Sequence, residues 1–335
     1  MRITKKTILY IIITELFLFI ILPSILLGIN GNFHKAPDSK SPAPEIFTNK
    51  IQTPEYINVY RHTYGVTESI PFEDYVKGVV AGEMPSNFEP EALKAQAVAA
   101  RTYSLSKITR SGQGGNPPAH PDAPLCDDTH CQVYRSVYEL KSLKGDQWIN
   151  EDWKKICDAV DSTKGELMYY NGQLAEQALF HSSSGGHTEN SEDVFASAVP
   201  YLRSVDSPYE EGATHQQETK HFSAKDFAYL LNLKYPGRNL SSPINNIAVI
   251  SKSTGGRVEN IKINNSTYNG RELRDALGLS SANFQASING STITITSNGF
   301  GHGVGMSQYG ANGMAQKGSN YKQILEHYYT GVKVY

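Results

Sequence analysis

Between two segments of helical periodicity the chain carries Ala81-Gly82-Glu83-Met84-Pro85, a forced break holding one carboxylate, and no other stretch constrains the fold so tightly. Phe72, Tyr75, Val76, Val79 and Val80 fall at i, i+3, i+4, i+7 and i+8, one apolar helix face opened by Pro71. Gly82 and Pro85 predict that this helix stops there. A second helix is predicted from about Pro90 through Ala92, Leu93, Ala97, Ala100, Leu105 and Ile108. Glu83 then lies beside the last carbonyls of the first helix, which disfavour negative charge and raise its pKa. A carboxyl that keeps its proton near neutral pH is what a general acid requires. A helix-terminal Glu facing water fits the same local pattern.

Lys94 and Arg101 stand seven apart on the second helix, hence on one face, with Ala97 and Ser104 keeping that stripe small. Two cations over small residues suit an anionic or polyhydroxylated ligand; a solvated basic stripe is the alternative. Farther on, the block Gly301-His302-Gly303-Val304-Gly305 is too dense in glycine for ordinary core. It suits backbone approaching a ligand or adopting φ > 0, with His302 and Gln308 placed to hydrogen-bond, or else a tight turn around a satisfied histidine. Ser182–Gly186 presents the same choice. Gly-x-Ser-x-Gly, His-Glu-x-x-His and the phosphate-loop pattern are all missing from the sequence, which argues against a serine hydrolase, a zinc peptidase and a nucleotide hydrolase.

His120, Cys126, His130 and Cys131 gather around a stretch, Ser111 to Thr129, rich in Gly, Pro and Asp and poor in apolar residues. Two thiolates and two imidazoles can close a tetrahedral zinc site and lend order to such a segment. A Cys126–Cys131 disulfide competes with that reading. Cys157 reads as a small buried hydrophobe.

Three blocks, taken in order, resemble the stage II sporulation protein D family. They are Tyr75-Val76-Lys77-Gly78-Val79-Val80-Ala81-Gly82-Glu83-Met84-Pro85 with Glu91 through Tyr103, then Ser182-Ser183-Ser184-Gly185-Gly186 with Thr188-Glu189-Asn190, and Gly301 through Ala311. The resemblance spans about Tyr56 to Tyr335. It implies a membrane-anchored lytic transglycosylase that cleaves the bond between N-acetylmuramic acid and N-acetylglucosamine in peptide-stripped peptidoglycan, during forespore engulfment in sporulation. It implies Glu83 as the catalytic residue and Ser183, Ser184, Gly185, His302, Gln308 and Tyr309 among the substrate contacts. One zinc ion on His120, Cys126, His130 and Cys131 follows from the same likeness, as do a sporulation amidase and a membrane scaffold as partners. Lys94 and Arg101 are read, from charge and spacing, as a clamp on the lactyl carboxylate of a stripped muramic acid. The alternative function is a non-catalytic glycan-binding enhancer of a cell-wall amidase.

Residues 1–7 include Arg2, Lys5 and Lys6 ahead of an apolar run, Ile8 to Ile29, whose 22 residues make a helix of roughly 33 Å. That predicts a single-pass anchor with a cytoplasmic N-terminus and the remainder outside, the mother-cell membrane facing the forespore being the location the resemblance implies. Glu15 within the run marks a helix contact or a tolerated protonated acid. Residues 30–55 read as a flexible linker and 56–335 as one α+β ectodomain of mixed helices and hairpin-rich sheets. Strands are expected over Tyr56–Val66 and Glu166–Phe180, the latter folded at Asn171-Gly172, and hairpins over Ile247–Ile263 and Phe284–Ser297. Helices are expected over Trp148–Val160, from Ser223 through Leu231, over Arg271–Leu277 and over Tyr321–Tyr329. A net charge of −2 leaves no basic footprint for nucleic acid.

Overall fold

The structure is a computed structural model that describes residues 50–335. The predicted anchor and most of the linker lie outside the described residues. Among the described residues, no helix is long and apolar enough to cross a membrane.

The described chain opens with an antiparallel hairpin, β1 (Tyr56–Arg61) and β2 (Val66–Pro71), where the sequence suggested one strand through Val66. The chain turns at His62–Gly65 because Asp127 captures both the His62 backbone N–H and its ring, at 3.0 and 2.9 Å. Helix α1 (Phe72–Glu83) follows and buries Phe72, Tyr75, Val76, Val79 and Val80, the predicted face. Helix α2 (Pro90–Gly114) is buried from Ala92 to Ser106 except at Lys94, and its alanines let α1 and the later helices approach it closely. It continues to Gly114, past the Ser111 at which an irregular stretch was expected. The chain then returns to β1 as the short parallel strand β3 (Leu125–Cys126), bringing Cys126 onto the sheet.

Helix α3 (Val137–Ser162) begins 11 residues before the expected Trp148, started by a Ser136/Glu139 capping box and interrupted at Gly145. Strands β4 (Met168–Tyr170) and β5 (Gln173–Leu174) turn at Asn171-Gly172, both with positive φ, as the hairpin signal predicts. Strand β6 (Phe180–His181) leaves that hairpin for a different partner, described below. A single helical turn, α4 (Ser191–Val194), precedes a lobe with its own core.

The lobe contains β7 (Glu218–Ser223), α5 (Ala224–Lys234), β8 (Ile247–Lys252), β9 (Val258–Ile263), β10 (Ser266–Asn269), α6 (Gly270–Leu277), β11 (Phe284–Asn289) and β12 (Thr292–Ser297). Two three-stranded antiparallel sheets, β10-β9-β8 and β11-β12-β7, share their apolar faces with the two helices. Phe227, Leu231, Ile261, Tyr268, Leu273, Phe284 and Ile295 form its centre. The chain then re-enters the first body as β13 (Met306–Ser307), α7 (Gln308–Gln316), α8 (Tyr321–Tyr328) and β14 (Val332–Val334). Strand β13 pairs in parallel with β6, and β14 completes the sheet of β4 and β5. Helices α7 and α8 pack on α2, so the two ends of the described chain close around one helix. The fold is α+β with small sheets.

Candidate active site

Glu83 is the last residue of α1, and the segment after the His/Cys cluster crosses directly over it. The Val133 N–H donates to Glu83 Oε1 at 2.6 Å. Gly82 makes this crossing possible: a Cβ there would stand 2.5 Å from the Val133 carbonyl oxygen. Gly82 thus serves a close backbone approach inside the helix, beyond the stop signal read from sequence. The crossing segment is held further by the Tyr134 ring, stacked on Tyr75 with centroids 5.2 Å apart and met by the Arg61 guanidinium 4.8 Å from its centre. Burial pushes the Glu83 pKa up to about 7, while the Val133 N–H and the charge of Arg135 pull it down. Loss of water is therefore the leading cause, where the sequence had suggested the helix terminus.

His120, Cys126, His130 and Cys131 converge, with one ligand atom from each lying within 4.8 Å of the others. Four of their six separations are close to the edges of a tetrahedral site. His120 Nε2 lies 3.2 Å from His130 Nδ1, Cys131 Sγ lies 3.5 and 3.6 Å from the two nitrogens, and Cys126 Sγ is 3.8 Å from His130 Nδ1. Metal–ligand bonds of about 2.0 Å to nitrogen and 2.3 Å to sulfur give edges of roughly 3.3 Å between nitrogens and 3.5 Å between nitrogen and sulfur. The other nitrogen of His120 lies 2.7 Å from the Ala123 carbonyl, which holds the proton on Nδ1 and leaves the Nε2 lone pair facing the cluster. Both cysteines are free thiols. The four residues fit a metal ion, and Val133 stands only two positions beyond Cys131.

A groove of about 840 Å³ runs past Glu83. His130, Cys131 and Gln132 line it from the cluster segment, Tyr103, Lys107 and Arg110 from α2, and Phe180, His181 and Ser182 from β6 and beyond. Phe195, Phe300, His302, Gln308 and Arg274 complete the lining. Glu83 is the only carboxylate among these residues. The exposed rings of Phe195 and Phe300 offer flat apolar surface of the kind that stacks on sugars.

The two later sequence blocks prove to be one structural unit. Ser183 and Phe300 exchange backbone hydrogen bonds at 3.1 and 2.9 Å, Glu189 N donates to the Gly303 carbonyl, and Tyr309 N donates to that of Ser182. Gly303, at φ +85°, leaves room for the Arg257 guanidinium, which a Cβ would meet at 2.3 Å. The glycines of this block thus serve the protein's own packing. His302 lines the groove, yet its Nδ1 accepts from Val304 N at 3.0 Å, and burial lowers its pKa to about 4. His181, buried against it, is likewise held neutral by desolvation.

The stage II sporulation protein family matches residues 60–170, which hold Glu83 and the whole His/Cys cluster. The chain is 44% identical to stage II sporulation protein D of Bacillus subtilis (strain 168) over 308 residues, 92% of this chain and 87% of that protein. The chain belongs to the stage II sporulation protein D family. The Bacillus amyloliquefaciens protein of that name is 41% identical over 90% of this chain and 83% of its own length. The amidase enhancer of Bacillus subtilis (strain 168) is 33% identical over 76% of this chain, but only 39% of the enhancer is covered.

Within this family member, several residues assigned to substrate from sequence occupy other positions. Arg101 has no exposed side-chain surface: it pairs with Glu73 at 2.8 Å and donates to the Val160 and Glu166 carbonyls. Lys94 pairs with Glu91 at 2.7 Å and lies outside the groove lining. The proposed clamp is thereby corrected, because both cations already have carboxylate partners within the chain. The Ser184 and Gly185 N–H groups donate to the buried carboxylate of Glu210 at 2.9 and 2.8 Å, and Ser207 and Ser307 also donate to it. Ser183 is buried, and Tyr309 packs its ring on Phe88 at 5.0 Å. Gln308 remains in the groove, 3.4 Å from Gln96. Sequence reasoning missed Lys107, Arg110, Arg274, Phe195 and Phe300. Lys107 and Arg110 continue the α2 periodicity toward the groove and were legible in principle; the others come from loops and a lobe that only folding brings near.

Proposed function

We propose that this protein is a lytic transglycosylase of peptidoglycan glycan strands in sporulation, with Glu83 as its acid and base. The observation that carries the reading is a single carboxyl with a pKa of about 7 in an open groove whose lining holds no second carboxylate. Hydrolysis by a carboxylate pair needs a partner roughly 5 to 9 Å away. One carboxyl suffices for intramolecular transfer. Protonated Glu83 gives its proton to the glycosidic oxygen as the bond to the muramic acid C1 breaks. The C6 hydroxyl of the same sugar attacks C1 and returns a proton to the Glu83 carboxylate. A 1,6-anhydro end forms, no water is consumed, and Glu83 is restored. The Val133 N–H orients the carboxylate and steadies its charged form between the two steps.

The metal of the His120, Cys126, His130 and Cys131 set is zinc in this reading, and with four protein ligands it supplies order to the segment that presents Val133. Metal analysis should find close to one zinc per chain, lost in Cys126→Ser; stoichiometric zinc in that variant would refute the ligand set. The substrate is a strand stripped by an amidase, and the run Ile8–Ile29 anchors the enzyme in the mother-cell membrane. The relative named amidase enhancer favours a second reading, a glycan-binding partner of an amidase without turnover. Mass spectrometry of peptide-stripped glycan after incubation separates the two. Anhydro-muramic ends support the enzyme; intact strands, or ends carrying oxygen from labelled water, would sink it.

A further inference from the structure

Several cations of this protein are neutralised inside the chain, whereas three that line the groove are not. Arg61, Lys77, Lys94, Arg101 and Arg257 each hold a carboxylate within the chain. Lys107, Arg110 and Arg274 all line the groove, and among the described residues none of them forms an ion pair. Arg110 donates only to the Ser106 hydroxyl and the Glu176 backbone carbonyl, at 3.0 and 3.3 Å, and Lys107 Nζ lies 5.2 Å from the Tyr103 ring centre. Lys107 and Arg274 are half-buried. Burial lowers the pKa of both, the reverse of Lys77, whose partner Asp161 raises it. Three cations thus share a groove with one acid that is about half protonated at neutral pH, in a chain whose net charge is −2. Partial burial without a partner is costly unless a ligand provides the missing charge.

We propose that Lys107, Arg110 and Arg274 are the specificity-determining residues that read the lactyl carboxylates of a peptide-stripped glycan strand. This rests on the proposed glycan substrate. Lys107 and Arg110 belong to α2 and Arg274 to α6 of the lobe, so the reading is divided between two bodies of the fold. Arg274 and Phe300 also border a separate surface depression on the lobe, whose lining includes Glu272 and Asp275. A strand carries a carboxylate on every second sugar, which allows two muramic acids to be contacted at once. A lactyl group still bearing its peptide is an amide, uncharged and bulkier, so the charge these cations would meet next to the sugar ring is gone. The preference for stripped strands then resides in the groove itself.

Binding to an immobilised stripped strand, and to the same strand with its carboxylates chemically amidated, tests this. The protein is the Glu83→Gln variant, so that neither strand is consumed. The parent should prefer the carboxylate strand at least tenfold, and high salt should erode the preference. Lys107→Gln, Arg110→Gln and Arg274→Gln should each weaken binding to the carboxylate strand about tenfold and leave the amidated strand unchanged. Arg274→Lys, which keeps the charge, should recover part of the loss even if Arg274→Gln is poorly folded. Equal loss on both strands, or a parent that binds neither or shows no preference, would overturn the proposal. Because binding is measured without turnover, a wild-type protein that cleaves nothing yet shows this preference would refute the transglycosylase reading alone.

Discussion

The two ends of α1 carry one glutamate each that the fold treats in opposite ways. Glu73, in the first turn, receives the Arg101 guanidinium through Nε and Nη2 at 3.0 and 2.8 Å. Glu83, the last residue, receives one backbone N–H and no cation closer than the through-space influence of Arg135. The first becomes a structural strut joining α1 to α2. The second is left with a proton it can give away. A carboxyl becomes a proton donor when folding removes its water without supplying a counter-charge. The same helix provides both environments, at Glu73 and Glu83, ten positions apart.

The sharpest way to break this contrast is to remove each acid's function separately. Glu83→Gln keeps shape and the Val133 hydrogen bond but cannot transfer a proton, so turnover of stripped glycan should fall roughly 10²–10⁴-fold with the circular dichroism spectrum unchanged. Residual anhydro-product near the wild-type rate would end the assignment. Arg101→Ala should act on stability instead. It leaves Glu73 and two carbonyls without their donor, and denaturant unfolding should show a loss of about 3 kcal/mol or more. A variant as stable as the parent but weak in glycan binding would return Arg101 to the substrate.

Titration sharpens the comparison. Because Glu83 must be protonated to act, kcat/KM should be full below pH 7 and fall as pH rises through about 7. Stability has the matching sign. The folded pKa is raised above the ordinary value of 4.5, so the wild type binds more protons when folded and loses stability as pH climbs from 4.5 to about 7. Glu83→Gln escapes that loss and should be more stable than the wild type by about 3 kcal/mol at pH 8, with the gain vanishing near pH 4. A constant difference across this range would place the charge in water. The smallest effect is expected for Lys94→Ala: its pair with Glu91 is partly exposed, so stability should change by less than about 1 kcal/mol and glycan binding not at all.

Local pattern revealed those elements whose signals are contained in a few consecutive residues. The apolar face of α1, the Pro90 start of α2, the Ser223 cap, and the turn at Asn171-Gly172 all depend on neighbours within one or two turns. The His/Cys set was also legible, since only 11 residues separate its first and last members and its donor chemistry is distinctive. The division of cations was not. Lys94 and Arg101 share a helix face with a pattern as plausible as that of Lys107 and Arg110, and what separates them is Glu73 from another helix and Glu91 from the turn before.

The sequence by itself determined that a lone carboxylate stands at a helix break, that four metal-binding side chains lie close along the chain, and that the blocks around them carry a family's signature. Tertiary structure alone decided which groups would be withheld from water and from counter-charges. The segment that ends on Val133 comes back across Gly82, the lobe brings Arg274 and its flanking chain Phe300 to the groove, and Glu210 occupies the N–H groups of Ser184 and Gly185. Each of these pairings joins residues 25 or more positions apart. Charge and burial are properties of such long-range neighbours, and a linear pattern records only the near ones.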